Sequence, residues 1–229
     1  MERPPVVVIL VGAGMGRRLG GDQAKAFRAV GERTILEVAA STAAAAPGVR
    51  SLVAVVPPGR EDAARAILSD LSVELDIVAG GTTRQDSVRT GLAVLPEGDV
   101  IVLVHDAARP FATAALFARV IEAVDGEVDA VAPVVPVTDT VVRLRAGLVV
   151  SVEPRDELSF AQTPQGFRAA ALREAHAKAD AAGFSFTDDA SLARWAGFEV
   201  RAVEGEIGNV KITTSSDLVD ARRRAGGTA

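Results

Sequence analysis

Runs of aliphatic and β-branched residues alternate with alanine-rich segments of helical period along most of this chain. Val6–Val11 is an uninterrupted apolar run, the pattern of a strand buried on both faces. Thr34–Ala46 then reads as a helix ended by Pro47-Gly48, and Ser51–Val56 as a strand stopped by Pro57-Pro58-Gly59. Glu61–Leu71 reads as a helix, Glu74–Val78 as a strand, Ser87–Leu95 as a helix and Val100–His105 as a strand, followed by a helix over Ala112–Ala123 and a strand over Asp129–Val135. This βαβα rhythm predicts the α/β class: a doubly wound, mostly parallel, Rossmann-like sheet with helices on both faces. Such sheets bind ligands beyond the carboxyl ends of their strands. Three loops then share one rim: Gly12–Lys25, Gly80–Ser87 and His105–Pro110.

Val137–Pro154 breaks the rhythm. Two β-type runs between Val141 and Val152 flank Ala146-Gly147 and read as a hairpin with no helix to cover it. Val141, Leu144, Leu148, Val150 and Val152 need a partner, and an exposed hairpin of this kind docks on another chain. One domain over residues 1–229 is expected, with a protruding β-hairpin arm at about 137–155 that joins two copies into a homodimer. Beyond it, Ala169–Ala182 and Asp188–Ala196 read as helices, Val200–Val203 as a strand and Thr214–Arg224 as a terminal helix. Ala225–Ala229 reads as a disordered tail.

Composition narrows the function. Hydrophobic residues make up 48% of the 229, enough for a large core. The absence of cysteine rules out disulfides and thiolate metal sites, and two histidines, His105 and His176, cannot build a zinc site without carboxylate help. A net charge of −5 argues against general nucleic-acid binding and makes local clusters of cations more telling. Glu2, Arg3 and two prolines precede a short apolar run, unlike a signal peptide, and no apolar stretch approaches the roughly 20 residues of a membrane span. A cytoplasmic protein with neither membrane nor nucleic acid as partner is expected.

The first rim loop carries the most chemistry. Five glycines (Gly12, Gly14, Gly16, Gly20, Gly21) and three cations (Arg17, Arg18, Lys25) lie within fourteen residues. Glycines let backbone N–H groups turn toward a ligand, and the cations add full charges beside them, which suits a polyphosphate. Three cations exceed what binding needs, so some are assigned to charge that develops during reaction. The dinucleotide fingerprint G-x-G-x-x-G fails because Arg17 stands where close helix–strand packing needs glycine or alanine. The P-loop pattern is also absent, since Lys25 is followed by Ala26. The bland alternative is an ordinary glycine-rich turn.

In the second loop, Gly80-Gly81-Thr82-Thr83-Arg84-Gln85-Asp86-Ser87, backbone groups can approach a base edge. Ser87 can bond a base or ribose, or it can share the helix-capping role with Asp86. In the third, Asp106 and Arg109 follow an apolar strand, where a carboxylate and an arginine seldom serve stability alone. Asp106 can hold a sugar hydroxyl or a metal, Arg109 can grip a phosphate, and the two can instead pair with each other. His105 can act as a general base, but it reads rather as a support for the loop through a ring hydrogen bond. Later, Arg155, Gln162-Thr163-Pro164-Gln165, a helix start at Thr187-Asp188-Asp189 with Thr187 as cap, and a strand ending at Lys211 add further polar groups. Arg18, Lys25, Arg109, Arg155 and Lys211 together suggest two phosphate-bearing ligands.

In order and spacing these motifs resemble the 2-C-methyl-D-erythritol 4-phosphate cytidylyltransferases of the non-mevalonate isoprenoid pathway, from Val6 to about Arg224. The marks are the glycine loop ending at Arg18, then Lys25, Gly80-Gly81-x-x-Arg84-x-x-Ser87-Val88, His105-Asp106-Ala107-Ala108-Arg109-Pro110, Asp139-Thr140, Thr163-Pro164-Gln165, Thr187-Asp188 and Asn209-x-Lys211. The resemblance implies catalytic roles for Arg18, Lys25 and Lys211, the first two on the pentavalent phosphorus and the third on the nucleotide phosphates. It implies that Ala13, Gly14, Gly16, Gly81, Thr82, Ser87 and Ala107 frame the cytidine. Asp106, Arg109, Thr163 and Thr187 would hold the methylerythritol phosphate, joined by Thr140 and Arg155 from the partner subunit. It also implies Mg²⁺ bound mainly by the triphosphate of CTP, with no protein ligand assigned. The chain departs from the family where Val11-Gly12-Ala13-Gly14 replaces Pro-Ala-Ala-Gly, where Ala24-Lys25-Ala26 replaces Pro-Lys-Gln, and where Thr82 replaces a common acidic residue. Both cations remain, and the lost prolines leave the loop freer before CTP binds. Alternatives are cytidylyl transfer to another polyol phosphate such as ribitol 5-phosphate, a dinucleotide oxidoreductase disfavoured by Arg17, and a CTP-binding protein without turnover.

Overall fold

The computed structural model describes residues 4–20, 23–124 and 128–226. Gly21 of the first loop and residues 227–229 of the tail lie outside the described residues. The chain runs β1 (Val6–Val11), β2 (Ala29–Val30), β3 (Arg33–Thr34), α1 (Ile35–Ala44), β4 (Val49–Val56), α2 (Glu61–Ile67), β5 (Glu74–Ala79), α3 (Arg84–Ala93), β6 (Ile101–Asp106) and α4 (Ala114–Val124). It continues through β7 (Ala130–Pro136), β8 (Val141–Arg145), β9 (Leu148–Glu153), β10 (Ser159–Ala161), β11 (Gln165–Arg168), α5 (Ala169–Ala182), α6 (Asp189–Trp195), β12 (Val200–Glu204) and α7 (Ser215–Arg224).

Strands β5, β4, β1 and β6 lie side by side and parallel. The chain steps outward from β1 to β4 and β5, then returns to β6 on the other flank of β1. The carboxyl ends of β1 and β6 therefore form the topological switch point where such sheets open a crevice. Side chains of β1 alternate between two cores. Val6, Val8 and Leu10 join Leu36 and Ala40 of α1 and Phe117 and Val120 of α4, whereas Val7 and Ile9 join Val88 and Leu92 of α3, Leu172 of α5 and Leu192 of α6. Burial on both faces is why this strand is apolar at every position, each large side chain contributing about 1.5–3 kcal/mol. A third, smaller cluster seats α7 through Leu218 and Ala221 against Leu19, Ile35 and Ile212.

The far half of the sheet departs from the expected rhythm. β11 pairs antiparallel with both β6 and β7 and so separates them. β10 pairs antiparallel with a later part of β7, and β12 pairs parallel with it. Residues 162–164 interrupt what would otherwise continue from β10 into β11, because Pro164 has no N–H for the ladder. Helix α3 begins at Arg84 rather than Ser87: Thr83 is its cap, and Asp86 closes a capping box. At α6 the cap is Asp188, which accepts from the Ser191 N–H, and not Thr187. The segment with Lys211 is not a strand, since β12 stops at Glu204 and residues 205–214 are irregular. Ala225 and Gly226 are bonded to the last turn of α7, so the tail is ordered at least that far.

The hairpin is present as β8 and β9, a two-stranded sheet separate from the main one. Both residues of its turn have positive φ (Ala146 at 49°, Gly147 at 82°), the signature of the primed turns that suit a hairpin's twist. Leu144, Leu148, Val150 and Val152 are each more than half exposed.

Candidate active site

A cleft of about 540 Å³ opens at the switch point, within the range of small-molecule sites. Val11 to Gly16 line it from β1, Gly81 to Arg84 and Ser87 from the start of α3, and Asp106 to Ala108 from β6. Lys25, Ala26, Pro57, Pro58 and Lys211 complete the wall. Among the described residues its charged side chains are three cations, Lys25, Arg84 and Lys211, and one carboxylate, Asp106.

At two rim positions glycine is required by space, and at one of them by backbone conformation as well. Gly16 has φ +68°, and a Cβ there would lie 2.7 Å from the Cβ of Lys25, so the loop passes the lysine only without a side chain. At Gly80 a Cβ would lie 2.3 Å from the Cβ of Ala13 and 2.9 Å from Ser87 Oγ. The first two rim loops therefore meet at Ala13, Gly80 and Ser87. Ser87 Oγ accepts from the Gly81 N–H at 3.2 Å and donates to the Thr83 carbonyl at 2.9 Å. It thus folds the loop from inside the first turn of the helix.

Asp106 is the electrostatic centre. Its Oδ1 lies 3.0 Å from Arg84 Nε and its Oδ2 2.5 Å from Lys211 Nζ. Burial alone would raise its pKa, but the two cations outweigh burial and hold it below the usual carboxylate range. Arg84 also reaches Asp189 Oδ2 at 2.7 Å. Burial opposes its charge, yet the carboxylates of Asp189 and Asp106 raise its pKa overall. The expected alternative, an Asp106–Arg109 pair, does not form. Arg109 instead donates to the backbone oxygens of Asn209 at 2.7 Å and Ala161 at 3.3 Å. Burial, and then the positive charge of Lys211, lowers the pKa of Lys25, whose ammonium donates to the Ile212 carbonyl at 3.2 Å.

Behind Asp106 a hydrogen-bond chain fixes the third loop. The Asp106 N–H donates to Thr163 Oγ1 at 3.0 Å. Thr163 Oγ1 lies 3.0 Å from His105 Nδ1, and His105 Nε2 lies 3.2 Å from the Arg109 carbonyl. A carbonyl only accepts, so Nε2 carries the proton and Nδ1 accepts from the threonine hydroxyl. Burial pushes the His105 pKa down to about 4 despite the nearby Asp106 charge. The ring is a neutral strut, matching the supporting role read from the sequence. Two residues unassigned in the sequence complete the frame: Asn209 Nδ2 donates to the Thr163 carbonyl at 2.9 Å, and Gln162 bonds the backbone of Glu206 in both directions. They anchor the irregular segment that delivers Lys211.

Residues 6–224 match the sequence profile of the family described as IspD, 2-C-methyl-D-erythritol 4-phosphate cytidylyltransferase. The chain belongs to that family. A 2-C-methyl-D-erythritol 4-phosphate cytidylyltransferase of Rhodococcus jostii is 44% identical over 219 residues, covering 95% of this chain and 94% of the relative. A bifunctional enzyme IspD/IspF of Bradyrhizobium sp. is 43% identical over 219 residues, covering 94% of this chain and 55% of the relative. The chain thus spans about half the length of the bifunctional relatives it matches. The crystal structure of 2-C-methyl-D-erythritol 4-phosphate cytidylyltransferase from Thermus thermophilus superposes with a TM-score of 0.78 at 37% identity, covering 97% of this chain and 99% of the other.

Of the residues assigned from the family resemblance, Ala13, Gly14, Gly16, Lys25, Gly81, Thr82, Ser87, Asp106, Ala107 and Lys211 line the one cleft. Arg18 is exposed on the 3₁₀ turn Arg17–Leu19, close enough to Lys25 for its charge to help lower the lysine pKa. Thr163 is buried directly behind Asp106. Thr187 is exposed just before α6, and Thr140 and Arg155 are exposed at the base of the arm, where Arg155 donates to the Thr138 carbonyl at 2.8 Å. None of Arg18, Arg109, Thr140, Arg155, Thr163 or Thr187 lines the cleft. Arg84 does line it and was absent from the assigned set. Its place in the second rim loop, one residue after a cap threonine, was the available signal.

Proposed function

We propose that this chain transfers CMP from CTP to 2-C-methyl-D-erythritol 4-phosphate, forming 4-diphosphocytidyl-2-C-methyl-D-erythritol and pyrophosphate, as a homodimer in the cytoplasm. The observation that carries the reading is the cleft at the switch point, where three cations face one carboxylate that two of them already neutralise. Such a surface keeps a surplus of positive charge for an anionic ligand, and the family resemblance supports a nucleotide as that ligand. The rim glycines and Ser87 receive the nucleoside. Lys25 and Lys211 face its phosphates, with Arg18 at the mouth.

An acceptor phosphate oxygen attacks the α-phosphorus in line. A P–O bond forms there as the bond to the bridging oxygen breaks, and its electron pair leaves with pyrophosphate. The nucleophile is already an anion at neutral pH, so no side-chain base is needed, consistent with His105 bonded at both ring nitrogens. The chemical obstacle is repulsion between two anions, and fixed positive charge lowers it. Among the described residues no group of three His, Asp or Glu side chains is placed to hold a metal, and both oxygens of Asp106 are occupied by cations. This donor set fits a Mg²⁺ that arrives on the triphosphate, where it would supply charge neutralisation to the phosphoryl oxygens. In this reading Asp106 meets the acceptor from within the cleft and Thr187 meets it from the neighbouring segment before α6, with Thr140 and Arg155 arriving from a partner's arm. The apolar, exposed strands of that arm support the dimer.

The test is pyrophosphate release with CTP, Mg²⁺ and 2-C-methyl-D-erythritol 4-phosphate, run beside ribitol 5-phosphate. Release with the first acceptor alone is expected. Release with the second alone would retain the transfer chemistry and refute the acceptor, and release with neither would refute both.

A further inference from the structure

Two consecutive residues at the start of α3, Arg84 on the wall of the cleft and Gln85 outside it, also reach across to the segment that leads into α6. Arg84 Nη1 reaches Asp189 of α6, and Gln85 meets the segment just before that helix. The Gln85 amide oxygen accepts from the Phe186 N–H at 2.8 Å, and its NH₂ donates to the Phe184 carbonyl at 3.3 Å. Between these ties stands Thr187. From the other side, Gln165 Nε2 donates to Asp188 Oδ2 at 3.0 Å, and its oxygen accepts from the Ala190 N–H at 2.9 Å. Segment 184–190 is thus fastened to the nucleotide loop and to β11, although it lines no part of the cleft.

The Arg84–Asp189 pair is costly to build. Asp189 is almost wholly buried, and Arg84 Nη2 is buried with no hydrogen-bond partner among the described residues. Stability alone does not call for this, since a well-packed apolar pair generally equals or surpasses a buried ion pair. A planar guanidinium gripped at Nε by one carboxylate and at Nη1 by another is fixed in position and in plane. It therefore fixes both carboxylates relative to each other, although they stand 22 and 105 positions along the chain from the arginine.

We propose that Arg84, Asp189 and Gln85 are positioning residues that hold the acceptor-side groups Asp106 and Thr187 at a set distance from the nucleotide loop. Asp189 aligns Arg84 from below, Arg84 aligns the Asp106 carboxylate, and Gln85 sets the height of the segment carrying Thr187. The inference rests on the acceptor-side reading given under Proposed function. It implies that loosening the ties weakens use of the acceptor while leaving nucleotide binding intact, because Asp189 and Gln85 are not among the residues lining the cleft.

The test uses the full chain with Asp189→Asn and, with all ion pairs kept, Gln85→Met. The KM for the acceptor is expected to rise about tenfold or more in Asp189→Asn and severalfold in Gln85→Met, with the CTP Kd unchanged within about twofold. Parallel changes in acceptor KM and CTP Kd, or an unchanged acceptor KM, would overturn the proposal. Amide hydrogen exchange over residues 184–190, with and without CTP and with no acceptor present, separates this inference from the assigned reaction. CTP is expected to slow exchange there in the unsubstituted chain and not in Gln85→Met. If the chain binds CTP and shows this protection yet turns over no acceptor, the functional reading fails and the mechanical tie stands. If CTP leaves exchange at 184–190 unchanged, the tie fails.

Discussion

His105 gives a pH dependence that can be worked out in advance. Its ring accepts from Thr163, donates to the Arg109 carbonyl and has no exposed surface. Protonation would place a second N–H against a hydroxyl that already accepts from the Asp106 N–H, and would do so without solvation. The folded protein therefore binds this proton only near pH 4, whereas the unfolded chain binds it near 6.5. Between those values the unfolded state holds the extra proton, so stability is complete above about pH 6.5 and falls as the pH drops toward 4. The interval, 6.5 minus about 4, is about 2.5 pH units, and at about 1.4 kcal/mol each it comes to roughly 3 kcal/mol. Urea unfolding followed by circular dichroism from pH 7 to pH 4 measures the loss. His105→Gln is the comparison, because every carboxylate contribution is common to both chains. The unsubstituted protein is expected to lose roughly 3 kcal/mol more than the variant over that range. Equal slopes would refute the argument. So would a ring proton titration, assigned by the resonance missing in the variant, with a midpoint near 6.5. A corollary is that turnover shows no inflection near pH 6.5 from this residue.

Three further outcomes follow from the site and the arm. Lys25→Ala and Arg18→Ala are each expected to lower kcat on the order of 10²-fold, and near-normal turnover in either would remove that residue from charge stabilisation. Gly80→Ala introduces a methyl 2.3 Å from the Cβ of Ala13, so the two rim loops must part; a CTP Kd raised tenfold or more by calorimetry is expected, with about 1–3 kcal/mol lost in thermal unfolding. Leu148→Ser with Val150→Ser removes apolar surface that is 71% and 51% exposed in the single chain, and sedimentation is expected to show a monomer with an unchanged circular dichroism spectrum.

The parallel half of the sheet was legible because its inner strands, β1, β4 and β6, are largely covered on both faces. Val6–Val11 and Ile101–Val104 carry no polar residue, and their helices begin and end at proline, glycine and cap residues that sequence exposes directly. β10 and β11 were not legible, for the opposite reason. Gln162, Thr163 and Gln165 are buried polar residues satisfied by partners far along the chain, and Pro164 and Gly166 look like a turn. Periodicity records which face is apolar, not which distant amide completes a hydrogen bond. The same limit hid the start of α3, where Thr83 and Asp86 make a capping box but Ser87 competes as a cap by composition. It hid the partners of Asp106 as well. Arg109, three residues away, was the local alternative beside a role on phosphate; Arg84 and Lys211 are neighbours only once β6 lies beside β1 and Asn209 pins its segment. The residues that line the cleft were the more legible part of the site, since they sit on short rim loops of regular strands.

The rim groups that bracket Asp106 hang from three adjacent strands, β1, β6 and β11. Neighbouring strands in any sheet stand about 4.8 Å apart, so the glycine loop after β1 and Thr163 at the entry to β11 are separated by a gauge of roughly 10 Å that backbone hydrogen bonds maintain. Side-chain replacement can widen or narrow the walls of the cleft but cannot alter that gauge. The distance between the glycine loop and Thr163 behind Asp106 is therefore a property of the backbone, and variation among the cleft's side chains works within a frame it does not set.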